Sequence, residues 1–422
     1  MSDTSRRTAS TPAIPLPLLA LALAAFAIGT SEFVIVGLLP SVAADTGTSL
    51  SQAGLLVTGY ALGVALGAPP LAMLAARAVP ARALPALMLL FIIGNAMCAA
   101  APGYGWLMAG RIVASLTHGA FFGLGATVAA ALVAPHRRSA AIALMFSGLT
   151  LANVLGVPIG AWIGQHAGWR ATFWAVGGLG LLALGALLWL VPTSLRLPPA
   201  SAAAGGWRLL RRPRLLGALG LTALGFGGIF TTLTFLSPLL HSASGFAASQ
   251  VNGLLLLFGL GLTLGNVLGG WAADRWPERS MFAILAALAV VEVALHLGLR
   301  APAVVTGGLV LWGLAAFATA PGLQSRVLGE AADAPSLGST LNIAAFNLGN
   351  AGAAWLGAEA LRAGLGLAQL PLLSAGLALA ALGLLAWMER GRGRVGGGPS
   401  AEILQQPAAH LEIDAACARR AR

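Results

Sequence analysis

Three observations predict an all-α membrane protein of twelve transmembrane helices arranged as two pseudo-symmetric six-helix halves. Hydrophobic residues make up 58% of the 422-residue chain and charged residues only 9%, against roughly 25% charged in soluble domains. Apolar runs of about 20 residues recur from Ile14 to Met388, each long enough to cross a ~30 Å hydrocarbon core as a helix. The chain also repeats itself. At an offset of 198, Pro40 meets Pro238, Ser51 and Gln52 meet Ser249 and Gln250, Gly63 and Gly67 meet Gly261 and Gly265, and Arg77 meets Arg275. At an offset of 193, Gly156, Trp162 and Gly164 meet Gly349, Trp355 and Gly357, which pairs the fifth span with the eleventh. Two parallel six-helix repeats suit a carrier whose solute site lies near the midplane between them. Strands of a membrane barrel would alternate over ~10 residues, and nothing here does.

The spans read as 16–39, 52–76, 83–101, 106–133, 139–164, 169–191, 215–240, 250–273, 281–299, 303–327, 337–361 and 366–388. Arg6 and Arg7 ahead of the first span resemble a signal peptide, but the run from Leu16 to Leu39 is too long for one and holds Glu32. It reads as an uncleaved helix. With the N-terminus in the cytoplasm, the arginines of the loops after the second, fourth, sixth, eighth and tenth spans all fall on that side, and only Arg170, Arg300 and Arg362 fall opposite. The positive-inside rule therefore predicts that both termini are cytoplasmic. The expected organisation is a cytoplasmic segment at 1–13, a six-helix half at 14–191, a linker at 192–214, a second half at 215–389 and a disordered cytoplasmic tail at 390–422. The linker carries Pro198, Pro199 and five arginines, a composition suited to a tether.

The formal charge of +11 would suggest nucleic acid in a soluble protein, yet these arginines are spread over loops and mark topology instead. The chain has no lysine, so it holds no phosphate-binding loop of the Gly-x-x-x-x-Gly-Lys type, and ATP hydrolysis is not expected. Cys98 lies in a span and Cys417 in the tail, which offers no disulfide framework. No metal-ligand spacing or nucleophile–base–acid set stands out, so neither an enzyme nor a bound cofactor is expected.

Glu32 carries the most chemistry. An ionised carboxylate inside a span costs about 2.5–3.5 kcal/mol, so the side chain must face a cavity, find a partner or hold a proton. With solvent access alternating between the two sides, it can bind and release that proton; a permanently hydrogen-bonded structural acid is the alternative. Arg111 and His118 stand seven residues apart in the fourth span, two turns along nearly the same face. Arg111 can serve a neighbouring acid or reach the outer headgroups; His118 titrates in a useful range but equally suits a neutral hydrogen bond. Asn153, Gln324, Asn342, Asn347 and Asn350 can line a solute cavity or act as interhelical glue. Gly156, Gly160 and Gly164 recur every fourth residue around Pro158, a pattern for close helix approach with a bend. Glu292 and His296, one turn apart, read as a structural pair, and Glu359 with Arg362 as an interfacial ion pair. The loop from Gly270 holds Asp274, Arg275 and Arg279, charges able to close one side of the molecule in one conformation.

Several of these segments together resemble the major facilitator superfamily, within its drug:proton antiporter-1 group and near the bacterial arabinose-efflux-like proteins. They are Gly29-Thr30-Ser31-Glu32-Phe33 with Gly37-Leu38-Leu39-Pro40, the run His118 to Gly123, the run Gly148 to Asn153, Gly269-Gly270 with Ala273-Asp274-Arg275, and the run Asn342 to Asn350. The resemblance covers nearly all of the helical region. It implies a monomeric twelve-helix carrier of the bacterial inner membrane that exchanges protons for a small molecule such as a sugar, nucleoside or drug. Arg111 then matches the arginine that such carriers keep in their fourth helix, and Gly270, Asp274, Arg275 and Arg279 match their signature gating loop. Two departures stand out: Ala72 and Ala76 replace the glycine and acid of the first-half loop, and Val157 replaces the glycine before Pro158. An importer on the same fold, and a receptor that binds without transporting, are the other readings.

Overall fold

Lipid offers the backbone no hydrogen-bond partners, so each span must satisfy its own N–H and C=O groups, and helices do this. A computed structural model describes residues 15–75, 78–134, 137–195, 197 and 209–395. The segment 1–13, Arg77 and its repeat match with Arg275, the Ala76 departure, most of the linker with Pro198 and Pro199, and Cys417 lie outside the described residues.

The first half contains α1 (Leu16–Thr46), α2 (Leu50–Ala75), α3 (Pro80–Ala99), α4 (Tyr104–Ala131), α5 (Arg138–Ala167) and α6 (Trp169–Leu190). The second contains α7 (213–243), α8 (Ala248–Arg275), α9 (Pro277–Gly298), α10 (Pro302–Glu330), α11 (Pro335–Arg362) and α12 (Leu370–Val395). Eleven of these helices are long and apolar enough to cross a membrane; α11, at 28 residues, is long enough but rich in Ser, Asn and Gly. Its Asn342, Asn347 and Asn350 are buried in protein, where polar side chains escape the cost of facing lipid. The last helix continues past Arg390, where the tail was expected to begin.

Two helices depart from regularity. Turns of π-helix interrupt α5 at Ala152–Gly156, just ahead of Pro158, whose missing N–H removes one ladder bond. More breaks occur in α7, which passes through a 3₁₀ turn at Gly227–Ile229, interrupts again at Thr234–Phe235 and ends in a π-turn at Leu239–Ala243. The expected single span at 215–240 is thus several short helical pieces.

The sequence repeat reappears as repeated packing. On α2, a Cβ at Gly63 or Gly67 would collide with Ser115 or Leu116 of α4; on α8, one at Gly261 or Gly265 would collide with the backbone of Val310 or Leu314 of α10. The stripe Gly156, Gly160 and Gly164 of α5 receives Thr30, Val34 and Leu38 of α1, and Gly349 and Gly357 of α11 receive Ala223 and Thr231 of α7. Each small residue admits one partner a turn further along.

The halves meet through α2 with α11, α5 with α8, and α1 with α7. Toward the ends remote from the chain termini they share one apolar core, which contains Phe33, Val36 and Leu39 from one half and Phe235, Leu254 and Ala354 from the other. Ser51 donates to Ala358 O at 2.7 Å, Thr58 to Ala351 O at 3.4 Å, and Gln165 to Ala248 O at 3.1 Å. Gln165 and Asn252 also exchange amide hydrogen bonds. Nearer the termini, Leu18, Leu21, Phe121 and Met145 belong to a separate core of the first half. The far side is therefore the closed one.

Candidate functional site

A polar cluster sits inside the first half where α1 meets α2, α3 and α4. Because α1 extends to Thr46, Glu32 lies near its middle, fourteen residues or ~21 Å from the far end. That is deeper than a helix ending near Leu39 would place it. The neighbouring Ser31 is fully buried, and its hydroxyl donates to Asn95 Oδ1 of α3 at 2.8 Å; the Asn95 amide donates in turn to Phe91 O.

Arg111 enters from α4 and is fully buried, so it does not reach outer headgroups. Its guanidinium spans two consecutive carbonyls of α1, donating to Ser31 O and, at 3.1 Å, to Glu32 O. Its Cζ lies 4.2 Å from the centroid of the Tyr60 ring of α2, a cation–π contact in a water-poor setting. Nε is buried without a hydrogen-bond partner. Arg111 thus ties α4, α2 and α1 together, and its charge acts on the nearby Glu32 through space.

The Glu32 carboxylate turns toward His118, with Oε2 3.7 Å from Nδ1, while Tyr60 Oη stands 3.5 Å from the same nitrogen. His118 also packs against Phe122 with ring centroids 4.9 Å apart, and Phe122 stacks on Phe146. Glu32, Tyr60, Arg111 and His118 therefore form one contiguous set. Ionised Glu32 balances Arg111; a proton on Glu32 leaves the arginine charge without its counter-charge, in surroundings where charges interact strongly. Tyr60 and Asn95 escaped the sequence reading. The chain has only two tyrosines, and one of them inside an apolar span was the available signal.

Beside this set, a narrow apolar cleft lies between the halves, lined by Phe33, Val36, Asn153, Val157, Leu255 and Phe258 among others. Phe33 also meets Phe230 of α7 in the other half at 6.1 Å between centroids. Farther into the second half, Phe226 packs edge-on against Phe317 and Phe346.

The polar residues expected to line a cavity divide. Asn153 borders the cleft, while its amide donates to Leu149 O. Gln324 and Asn342 are committed within the second half: Thr222 donates to Asn342 Oδ1 at 2.8 Å, Asn342 to Gln324 Oε1 at 2.6 Å, and Gln324 to Ser339 Oγ at 3.2 Å. Asn347 donates to Ile343 O, and its Oδ1, like that of Asn350, is buried without a partner. Those two oxygens are the acceptors left over.

At the termini side, Gly270 lies beside Pro321. Asp274, Arg275 and Arg279 are exposed, and among the described residues Asp274 makes no ion pair. Arg275 lies 6.0 Å from the Trp276 ring. Of the expected pairs, Glu359 and Arg362 do meet. Glu292 and His296 do not: His296 turns to Ala368 O at 2.7 Å, and Glu292 is fully buried among α7, α10 and α12. The one-turn spacing put the two side chains on neighbouring positions, but their real partners come from other helices.

Comparison with known proteins agrees with this architecture. The Major Facilitator Superfamily profile matches residues 21–356. The chain is 43% identical over 374 residues to the inner membrane transport protein YdhP of Escherichia coli K12, covering 87% of this chain and 95% of that one. It is 37% identical over 345 residues to a chloramphenicol resistance protein of Streptomyces lividans, covering 80% and 87%. A bacterial homologue of the human lysosomal transporter Spinster, solved in an inward-facing, occupied conformation, superposes with a TM-score of 0.69 at 18% identity, over 91% of this chain and 98% of that one.

Proposed function

Because the chain belongs to the major facilitator superfamily and is a multi-pass inner-membrane transporter rather than an enzyme, we propose that it exports a small uncharged or amphipathic molecule in exchange for protons. The observation that carries the reading is the Glu32 carboxyl, about one-tenth exposed, beside His118 and Arg111 and one residue from Phe33 of the cleft between the halves. In this proposal the termini are cytoplasmic, the closed far side is periplasmic, and the described conformation faces inward. When the halves rock and the far side opens, a proton reaches Glu32 and cancels the counter-charge of Arg111. The altered field weakens the hold of α4 on α1 and favours the return. Solute is taken from the cytoplasmic side onto the aromatic faces and the free acceptors Asn347 Oδ1 and Asn350 Oδ1. The resistance protein among the relatives supports export and a drug-like substrate. If one net charge moves per cycle, 100 mV supplies about 2.3 kcal/mol, enough for a roughly 50-fold solute gradient.

The test uses proteoliposomes holding the full chain, a pH-sensitive dye and a panel of sugars, nucleosides and amphenicol-type antibiotics. One solute class should drive proton movement opposite to its own, and Glu32→Gln should abolish the proton signal while solute binding remains. Proton flux in the same direction as solute would mark an importer, and unchanged coupling in Glu32→Gln would remove Glu32 from the mechanism. Binding without any flux would favour a receptor.

A further inference from the structure

Glu292 of α9 is fully buried in the second half, and the proton-exchange reading makes no use of it. Its Oε1 lies 2.6 Å from Ser374 Oγ of α12, and its Oε2 accepts from Thr232 Oγ1 of α7 at 3.2 Å. Ser374 Oγ also donates to Gly228 O of α7 at 3.1 Å. Trp312 of α10 brings its indole N–H near the carboxyl without reaching hydrogen-bond geometry. Thr232, Ser374 and Trp312 are themselves buried.

Ser374 has one hydrogen for two contacts, so it either gives it to Glu292 or gives it to Gly228 O and takes one from a protonated carboxyl; only the second arrangement makes both contacts hydrogen bonds at once. In that arrangement the chain of donors runs from Glu292 through Ser374 to Gly228, with Thr232 donating to the other carboxyl oxygen.

Among the described residues, no cation pairs with Glu292 to hold a carboxylate instead. From the faces packed on Glu292, α7, α10 and α12 present Thr232, Trp312 and Ser374, none of them charged. Other titratable groups of these helices and of α9 have partners elsewhere, among them His241 on Phe246 O, Arg326 on Glu389 and His296 on Ala368 O. An ionised carboxylate in this place would be buried and unpaired.

The position also has a counterpart. In the first half, Ser31 of α1 bonds Asn95 of α3 beside Arg111 of α4; in the second, Thr232 of α7 bonds Glu292 of α9 beside Trp312 of α10. The same three-helix junction holds an amide and a cation in one half and a carboxyl and an indole in the other. Two of the carboxyl's attachments, Thr232 directly and Gly228 through Ser374, come from the broken stretch of α7. That stretch also carries Phe230, which meets Phe33 across the halves, and a cleft between α7, α11 and α12 reaches Gly228. A rearrangement of the halves therefore acts directly on the groups that hold this proton.

We propose that Glu292 is a second proton-binding site, distinct from Glu32, that carries its proton in this conformation and releases it when the broken segment of α7 moves. The experiment is infrared spectroscopy of the full chain in liposomes, following the carboxylic-acid C=O band from acid to alkaline pH, in the wild type, Glu292→Gln and Glu32→Gln. The wild-type band from Glu292 should be present at neutral pH and disappear reversibly at alkaline pH. It should be lost in Glu292→Gln, which keeps a donor toward Ser374, and survive in Glu32→Gln. In Ser374→Ala, which leaves the carboxyl in place, the band should shift to higher frequency as its hydrogen bond is lost.

A spectrum unchanged by Glu292→Gln would mean that Glu292 is ionised, and would overturn the proposal. A band that resists alkali for as long as the protein stays folded would overturn it too, by making the proton a fixed structural one; an unshifted band in Ser374→Ala would remove the relay. Because the readout needs no transport, absence of proton-driven flux would count against the export reading alone.

Discussion

Arg111 shows how much a single side chain can organise. It holds two successive carbonyls of α1 with separate nitrogens while its flat face rests on Tyr60. A lysine keeps the charge but has neither the fork nor the plane. Arg111→Lys should therefore lower transport at least tenfold at equal membrane expression, measured as initial solute flux, and the loss should exceed that of Tyr60→Phe, which retains the ring. The position of Arg111 along the fourth span was legible in the sequence; its burial was not, because a place about five residues from the end of the predicted span at 106–133 is compatible with reaching either water or a neighbour. The partners of Glu292 were hidden for a similar reason: Thr232 and Ser374 stand 60 and 82 residues away along the chain.

At the scale of helices, the glycine periodicity predicted close contact but not with what. The stripe on α5 turned out to receive side chains of α1, and a Cβ at Gly160 would meet side chains alone, Val34 Cγ2 at 2.3 Å and Thr172 Cγ2 at 3.2 Å. By contrast, Gly265 of α8 faces the backbone of Leu314, which cannot rotate away. Gly265→Ala should cost about 1–3 kcal/mol as overpacking, visible as a lower detergent unfolding temperature, whereas Gly160→Ala should cost less because it meets side-chain methyl groups of Val34 and Thr172 and no main chain. The eleventh helix was readable from the repeat although its polar content hides it from an apolarity scan. The breaks in α7 were not readable. Its Gly227-Gly228 pair and threonines permit irregular turns but do not require them, and the packing against α11, where a Cβ at Gly227 would strike Gly349, decides the outcome.

For the molecule as a whole, closure on one side and separate cores on the other predict how cross-links will act. Cysteines replacing Gln165 and Asn252, joined by a short thiol-specific reagent, should abolish flux, and a reducible version of the reagent should restore it on reduction. Flux that survives the link would mean that this side need not open. A second prediction concerns the junction of the linker with the second half. Arg212 and Asp333 form two 2.7 Å hydrogen bonds between the start of α7 and the α10–α11 turn. The guanidinium holds the Asp333 carboxyl below the usual aspartate range. Whatever stability the pair gives is thus complete above the unfolded-state pKa and is lost as pH falls through the depressed folded value. Asp333→Asn should flatten the acid limb of a thermal-stability profile and leave it unchanged near neutrality and above apart from a small constant offset; being exposed, the pair will lose influence in high salt. Fold class and number of spans were legible at this scale because solvent dictates them; which side is closed was not, since one sequence must encode both states.

The paired seams α2–α4 and α8–α10 differ in a way that bears on mechanics. In the first, glycines accommodate side chains of Ser115 and Leu116; in the second, Gly261, Gly265 and Gly269 bring two backbones into contact at Val310, Leu314 and Ala318. A seam cushioned by rotamers can absorb a small displacement, whereas one made of main chain passes it on. The α8–α10 seam is then the stiff one of the pair and the α2–α4 seam the compliant one, so a push applied along α8 should pass to α10 with little loss.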